Sequence, residues 1–326
     1  MRAIVVKAHG GLDQIALVDW PEPKAAPGQA VVTVRACGLN YLDIFVRRGM
    51  PGLPVQMPRI PGGDISGVVA DVGAGVGRDW IGRRVLVDPH IKPGGALGEH
   101  DHGGLCERIA IDAENLIALP DDVSFEDAAA LPIAYGTAWR MMRTRGQVRA
   151  GETVLILGAS GGVGTACVQI AKNAGATVLA CASSAAKLDR LRALGADHLI
   201  DYMREDFSAR AWELTGRKGC DVIVNYTGGD TWVPSLRALA RHGRLLTCGA
   251  TAGYDPPTDI RYIWRREANI VGANGWTRTD LEELLEEVRH RRIRPVIDRV
   301  FSLEESREAM RIVEDREVFG KVLVRP

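Results

Sequence analysis

The sequence predicts an α/β protein in two parts, a doubly wound domain with a parallel six-stranded sheet and a mostly-β domain. Three observations indicate this: a glycine-rich turn directly after an apolar run, alternating strand and helix patterns in the middle third, and short β-rich runs between Pro and Gly turns before residue 121. Alternating strands and helices are typical of parallel sheets, whereas short strands between turns are typical of compact β domains.

The glycine-rich turn occupies residues 158–164, between the apolar run 153–157 and a helix predicted over 165–173. Glycines at such a turn let backbone N–H groups approach a pyrophosphate, and the helix N-terminus adds partial positive charge. The strand before the turn, and the helix and second strand after it, favour a dinucleotide site over a structural turn. The residues of this turn expected to bind the cofactor are Ser160, Gly161, Gly162, Val163 and Gly164.

The end of the second strand of this domain indicates which cofactor is bound. In NAD sites an Asp or Glu about 20 residues past the glycines holds the ribose 2′-OH. Residues 181–187 read CASSAAK and contain no carboxylate. Hydroxyls and a lysine suit a 2′-phosphate, so we expect NADPH, held by Ser183, Lys187 and, from the end of the next strand, Tyr202. The alternative for Lys187 is a solvated lysine on a surface helix.

The predicted strands and caps divide the chain into domains. The strands of the doubly wound part are 153–157, 176–182, 198–202, 220–226, 243–249 and 269–273. A capping-box pattern at 124–127 opens a helix, so we place this domain at 124–275 and the β domain at 1–123 and 276–326. The last predicted strand, 321–324, is isolated in the sequence and is expected to pair with the N-terminal β domain.

Composition excludes several classes of function. The 326 residues carry 41 basic and 41 acidic side chains, which gives no overall attraction to nucleic acid or to an anionic membrane. Residues 1–7 predict a first strand rather than a signal peptide, and no apolar run reaches membrane-spanning length. The six cysteines are scattered without a C-x-x-C pair, which favours a reducing compartment. We expect a cytoplasmic protein that acts on a small-molecule substrate, without nucleic-acid or membrane partners.

The chain resembles the medium-chain dehydrogenase/reductase superfamily over essentially its whole length. The segments that carry the resemblance are 38–43 (GLNYLD), 61–67 (PGGDISG), 158–164 (GASGGVG), 226–229 (YTGG) and 247–251 (TCGAT). Within the superfamily it is most similar to the quinone oxidoreductase and enoyl-reductase branch. The resemblance implies a GroES-like mostly-β catalytic domain and a Rossmann dinucleotide-binding domain.

The same resemblance raises the question of zinc. In the zinc alcohol dehydrogenases of this superfamily, Cys, His and Cys hold a catalytic Zn²⁺ and leave one position open to water. Matched motif by motif, those positions are Asn40, Gly63 and Ile133, none of which is a competent ligand in that geometry. The family's proton-relay hydroxyl corresponds to Leu42, and residues 85–104 lack the cysteines of the structural zinc lobe. We therefore expect no bound metal.

One cluster of polar residues leaves this conclusion open. It comprises His90, Glu99, His100, Asp101 and His102. The cluster could be a solvated loop that replaces the missing zinc lobe, it could supply His90 or His102 as a proton donor, or it could bind a metal in a non-standard way.

The resemblance implies hydride transfer from NADPH to a quinone or an α,β-unsaturated carbonyl. Asn40 and Tyr41 stand where the first metal ligand would be, so they are the candidate donors to the oxygen on which charge develops. The alternatives are turn chemistry for Asn40 and simple packing for Tyr41. The remaining cofactor contacts implied by the resemblance are Asn40, Thr137, Thr227, Cys248, Gly249, Ala250, Thr251, Asn274 and Lys321.

Two other functions and two oligomeric states stay open. The chain could be a zinc alcohol dehydrogenase with rearranged ligands, or a cofactor-binding relative without turnover. The apolar strand 269–273 is expected at the sheet edge, where an unpaired strand is an aggregation liability. A two-fold partner that pairs the same strand would remove this liability, so we expect a homodimer. In the competing arrangement, Trp276 and the helix that starts at Thr279 cover the edge of a monomer.

Overall fold

The computed structural model describes residues 1–52, 54–92 and 94–326, which divide into two compact units. Unit 1 is Met1–Ile133 with Leu281–Pro326, and unit 2 is Ala134–Asp280. The strands are β1 (Arg2–Val6), β2 (Ile15–Asp19), β3 (Gln29–Leu39), β4 (Asp64–Val72), β5 (Arg84–Val87), β6 (Arg108–Asp112), β7 (Leu116–Ala118), β8 (Thr153–Ile156), β9 (Thr177–Ala182), β10 (His198–Asp201), β11 (Cys220–Val224), β12 (Leu239–Thr247), β13 (Asn269–Gly272), β14 (Ile297–Ser302) and β15 (Lys321–Arg325).

The helices are short, and several are capped by side chains. They are α1 (Tyr41–Arg48), α2 (Phe125–Ala129), α3 (Thr137–Trp139), α4 (Gly162–Asn173), α5 (Ala185–Ala193), α6 (Phe207–Leu214), α7 (Trp232–Ala238), α8 (Arg261–Arg266), α9 (Arg278–Arg289) and α10 (Ser306–Glu314). Two π-helical segments, Leu131–Gly136 and Arg140–Arg145, flank α3. Across the described residues, no helix has the length and apolar character needed to cross a bilayer.

Unit 2 contains a six-stranded sheet in the order β10-β9-β8-β11-β12-β13. Every neighbouring pair in it is parallel, because the connections between strands run through helices. Apolar side chains of the central strands, including Leu155, Leu179 and Ile223, form its core. The strand order reverses between β8 and β11, and ligands of such sheets bind at the carboxyl ends of the strands beside that point.

Unit 1 contains a seven-stranded sheet in the order β14-β15-β3-β4-β5-β7, and β6 also pairs with β3. The terminal strand β15 is antiparallel to β3, with Val322 opposite Leu39. The expected pairing of the last strand with the N-terminal β domain is therefore confirmed. This pairing has a consequence for the site, because it brings Lys321 next to the end of β3.

The unit boundaries differ from the expected domain boundaries at 123/124 and 275/276. The helix capped by Ser124 belongs to unit 1, because Ala129 packs with Ala36 and Leu323 in an apolar cluster and Phe125 covers it. At the boundary expected at 275/276, the Asp280 carboxylate accepts hydrogen bonds from side chains of unit 2. These bonds keep the start of α9 in unit 2. These donors are Arg140, Thr144 and Thr277.

Candidate functional site

The glycine-rich turn of unit 2 joins β8 to α4. Gly158 has φ +61°, a left-handed conformation that favours glycine, and its carbonyl oxygen accepts the Gly161 N–H at 3.0 Å. A Cβ at Gly164 would lie 2.4 Å from the same oxygen, so only glycine fits there. Residues 160–163 are half-buried, and the N-terminal amides of α4 are a suitable site for a pyrophosphate.

The residues expected to recognise the 2′-phosphate follow β9 and β10, whose ends pair through Asp201 opposite Ala182. Ala182 is buried at the end of β9, and Ser184 caps α5 by accepting the Lys187 backbone N–H at 3.4 Å. Ser183 and Lys187 are half-buried, while Tyr202 is 43% exposed. Hydroxyls, an ammonium group and the start of α5 therefore follow the ends of these two strands.

A buried asparagine that sequence analysis missed organises the loop after β11. Asn225 is completely buried, and its Oδ1 accepts the backbone N–H groups of Thr227 and Gly228, both at 3.0 Å. Its Nδ2 donates to Ser235 Oγ at 2.9 Å. Asn225 directly follows an apolar run and lies three positions before Gly228-Gly229, a pattern that indicates such a turn. This role could therefore have been predicted from the sequence.

The other expected cofactor residues of unit 2 lie in loops or helices near the sheet. Thr227 accepts the Ala252 N–H through its carbonyl oxygen at 2.7 Å, which ties the loop after β11 to the residue that directly follows the segment 248–251. Within that segment, burial raises the pKa of the Cys248 thiol to about 12, so the thiol stays protonated. Asn274 is exposed just past β13, and Thr137 is buried in α3.

Unit 1 contains a buried charged network at the junction of β3, α1, β4 and β15. Lys321 Nζ donates to Leu39 O at 2.9 Å, Asn40 Oδ1 at 2.6 Å and Asp64 Oδ2 at 2.8 Å. Lys321 is 2% exposed and Asp64 is 0% exposed. Asp64 also accepts Asn40 Nδ2–H at 2.8 Å and the Ile133 N–H at 2.7 Å. Every charge in the network therefore has hydrogen-bond partners, as buried ions require.

The second carboxylate beside this network is Asp43. Its Oδ2 accepts the Asn40 N–H and its Oδ1 accepts the Gly62 N–H, both at 2.8 Å. Burial raises the pKa of Asp43 to about 6, against the lowering effect of these two hydrogen bonds. Asp43 thus closes the capping box of α1 and anchors the glycine turn at Gly62.

These contacts change the interpretation of Lys321. The expectation that Lys321 reaches the cofactor's phosphates does not fit the structure, because its three N–H groups are directed to Leu39, Asn40 and Asp64. The pairing of β15 with β3 places it there; the sequence predicts that the last strand pairs with the N-terminal β domain but not which strand becomes its neighbour. Lys321 instead orients the Asn40 amide.

The two candidate donors to the substrate differ in their surroundings. Asn40 Nδ2 makes one hydrogen bond, to Asp64, within the part of the chain that the structure describes, so its second N–H is available. Tyr41 packs edge-to-face on Phe45, with 5.1 Å between ring centroids, and the Arg316 guanidinium lies 5.9 Å from its ring. These contacts agree with the packed-aromatic alternative for Tyr41.

The three positions matched to zinc ligands come together in unit 1 but do not form a ligand set. Gly63 has no side chain that could bind a metal, and a Cβ there would lie 2.9 Å from Ile133 Cδ1 and 3.0 Å from Leu97 O. The Ile133 side chain is apolar, and the Asn40 oxygen already accepts from Lys321. The residues present therefore do not fit a catalytic zinc of the family's type.

His90 and His102 have local partners. His90 Nδ1 lies 3.0 Å from Asp88 Oδ1, and His102 Nδ1 accepts the Ile60 N–H at 3.2 Å. Burial, and then the nearby Arg59, lower the pKa of His102, which favours its neutral form. Outside residues 53 and 93, which are not described, no three His, Cys, Asp or Glu side chains are grouped to hold a metal ion. These contacts agree with the first of the three alternatives, a loop that replaces the missing zinc lobe.

Comparison with known proteins supplies the family. Residues 26–121 match the "Alcohol dehydrogenase GroES-like domain" and residues 162–290 match the "Zinc-binding dehydrogenase" family. The chain is 31% identical over 315 residues to quinone oxidoreductase-like protein 2 of Bos taurus, covering 93% of this chain and 86% of that one. It is 30% identical over 343 residues to a zinc-type alcohol dehydrogenase-like protein of Schizosaccharomyces pombe, covering 100% and 99%.

Solved structures show the same relationship. An NAD-dependent alcohol dehydrogenase superposes with a TM-score of 0.93 at 36% identity and covers 100% of both chains. A 2-octenoyl-CoA carboxylase reductase in complex with NADP and 2-octenoyl-CoA superposes with a TM-score of 0.91 at 28% identity, covering 99% of this chain and 87% of that one. The chain belongs to the medium-chain dehydrogenase/reductase superfamily. It is an oxidoreductase with the GroES-like and Rossmann domains of that superfamily.

Proposed function

We propose that this oxidoreductase uses NADPH to reduce a quinone or an α,β-unsaturated carbonyl compound without a catalytic metal. The main observation behind the proposal is that the three positions matched to zinc ligands offer no ligand set. Ile133 packs on Gly63, and the Asn40 side chain is hydrogen-bonded to Lys321 and Asp64. Without a Lewis acid, hydride transfer at an unactivated alcohol or aldehyde is slow. A conjugated acceptor needs only orientation and hydrogen-bond donors.

The choice of NADPH is supported by the end of β9. No carboxylate lies within residues 181–187, so a 2′-phosphate meets no like charge there, while Ser183, Lys187 and Tyr202 can donate to it. One structural relative binds NADP and another is NAD-dependent, so relatives alone support only a nicotinamide cofactor. The missing acid is what favours NADPH in this chain.

The proposed roles of the chain's own residues follow from their contacts. When bound, the nicotinamide supplies a hydride from C4. The amides of residues 160–164 hold the pyrophosphate, and Thr137 and Asn274 hold the nicotinamide end. Asn40 Nδ2–H donates to the acceptor oxygen as negative charge develops on it, because Lys321 and Asp64 fix the orientation of the amide. A fixed donor of this kind needs no reorganisation during the reaction.

An acceptor panel tests the proposal. NADPH oxidation would be followed with a quinone, a conjugated enone and the saturated ketone of the same carbon skeleton, which serves as the matched control. We expect turnover with the quinone or the enone and none with the saturated ketone. Turnover of the saturated ketone at the rate of the enone, or turnover with none of the three, would contradict the proposal.

A further inference from the structure

The hydroxyl of Tyr226 lies against the glycine-rich turn of unit 2. Tyr226 follows β11 directly, and β11 is the parallel neighbour of β8, the strand that leads into the turn. Its Oη donates to Gly158 O at 2.7 Å. A Cβ at Gly158 would lie 3.2 Å from Oη and 3.4 Å from Cε2, so the ring and the hydroxyl both contact the turn.

The Gly158 carbonyl holds the turn through two different hydrogen bonds. One comes from the Gly161 N–H at 3.0 Å and closes the turn on itself. The other comes from Tyr226 and ties the turn to a different strand. Burial raises the pKa of the Tyr226 hydroxyl well above its usual value, so it remains a proton donor at physiological pH.

The backbone of the same residue makes a second link. The Tyr226 carbonyl oxygen accepts the Thr251 N–H at 3.2 Å, and Thr251 lies in the loop after β12. Tyr226 therefore joins the turn after β8 to the loop after β12. Both segments hold expected cofactor contacts, and they come from strands that are separated by β11 in the sheet.

We propose that Tyr226 is a positioning residue for the cofactor, whose hydroxyl holds the Gly158–Gly161 turn so that the amides at the start of α4 face the pyrophosphate. This inference rests on the proposed function, because it requires the turn to bind a nicotinamide dinucleotide. The pyrophosphate is common to NADPH and NADH, so the effect of the hydroxyl is the same for both. Lys187 and Tyr202, in contrast, act only on the cofactor that carries a 2′-phosphate.

The variant Tyr226→Phe tests the proposal because it removes one oxygen atom and keeps the ring. Dissociation constants for NADPH and NADH would be measured by nucleotide fluorescence, at a temperature where both proteins are fully folded. We expect both constants to rise by about fivefold, the effect of losing one net hydrogen bond. In the cofactor-free protein, hydrogen exchange of the peptide that contains Gly161 should become faster, while peptides of α9 remain unchanged.

A matched control is Tyr262→Phe, which removes the same atom from a half-buried tyrosine of α8 in the same unit. Its nucleotide affinities should equal those of the wild type. Unchanged affinity and unchanged exchange in Tyr226→Phe, or equal losses in both variants, would overturn the inference alone. If wild-type protein binds neither nucleotide, the proposed function fails and the inference fails with it.

Discussion

Replacement of Lys321 by methionine should destabilise unit 1 strongly. Methionine keeps much of the side-chain length but removes the ammonium group that donates to Leu39, Asn40 and Asp64. The Asp64 carboxylate, which is 0% exposed, would then be buried without an opposite charge. Breaking a buried ion pair by removing one partner costs about 3–5 kcal/mol, and we expect a loss of unfolding free energy in that range.

Urea unfolding followed by circular dichroism would measure this loss, with Lys92→Met as the control. Lys92 pairs with Glu114 on the surface of the same unit, with side chains 79% and 52% exposed, so its loss should cost less than about 1 kcal/mol. The double variant Lys321→Met/Asp64→Asn should recover part of the stability, because it removes the unpaired charge. Equal effects of Lys321→Met and Lys92→Met would refute this reasoning. A loss of NADPH affinity without a loss of stability would instead support a phosphate contact for Lys321.

Three further predictions test other parts of the site. Because the folded state raises the pKa of Asp43 from 3.8 to about 6, it binds the proton more tightly than the unfolded state. Ionisation of Asp43 should therefore lower the free energy of unfolding by about 3 kcal/mol as the pH rises from about 4 to 6. In Asp43→Asn, the free energy of unfolding should not show this decrease. Lys187→Ala should weaken NADPH about tenfold and leave NADH nearly unchanged in nucleotide titrations; equal losses for both would contradict the 2′-phosphate assignment. The exposed strand β13, on which Ile270 is 42% exposed, is proposed to pair with its copy in a homodimer. Light scattering should give the mass of two chains for the wild type and of one for Ile270→Lys, and a wild-type mass of one chain excludes the dimer.

Much of the doubly wound fold was predictable from the sequence, because its strands are apolar runs and its turns are marked by glycine. The predicted strands 153–157 and 269–273 correspond to β8 (Thr153–Ile156) and β13 (Asn269–Gly272). The central strands of a parallel sheet covered by helices are near-continuous apolar runs, so this pattern can be recognised within a single segment of the sequence. The glycine-rich turn is readable for the same reason, since its φ and its close contacts require glycine.

The parts that could not be predicted depend on contacts between distant segments. Lys321 and Asp64 are separated by 257 positions, and their pairing follows from the placement of β15 beside β3. Tyr226 and Gly158 are 68 positions apart and meet because β11 is the neighbour of β8. The resemblance implied a phosphate contact for Lys321, and neither the resemblance nor the local pattern indicated a contact between Tyr226 and Gly158. Periodicity within one segment carries no information about which strands become neighbours.

The position of deuterium in the product tests the central claim most directly. The zinc content of the enzyme would be measured, and any bound metal would be removed with a chelator. The treated enzyme would then be incubated with a conjugated enone and NADPH that carries deuterium at C4. The account predicts deuterium at the β-carbon of a saturated ketone, because an activated acceptor takes hydride conjugately and Asn40 stabilises the oxygen. Deuterium at the carbonyl carbon of an allylic alcohol, with activity restored only by added Zn²⁺, would contradict it.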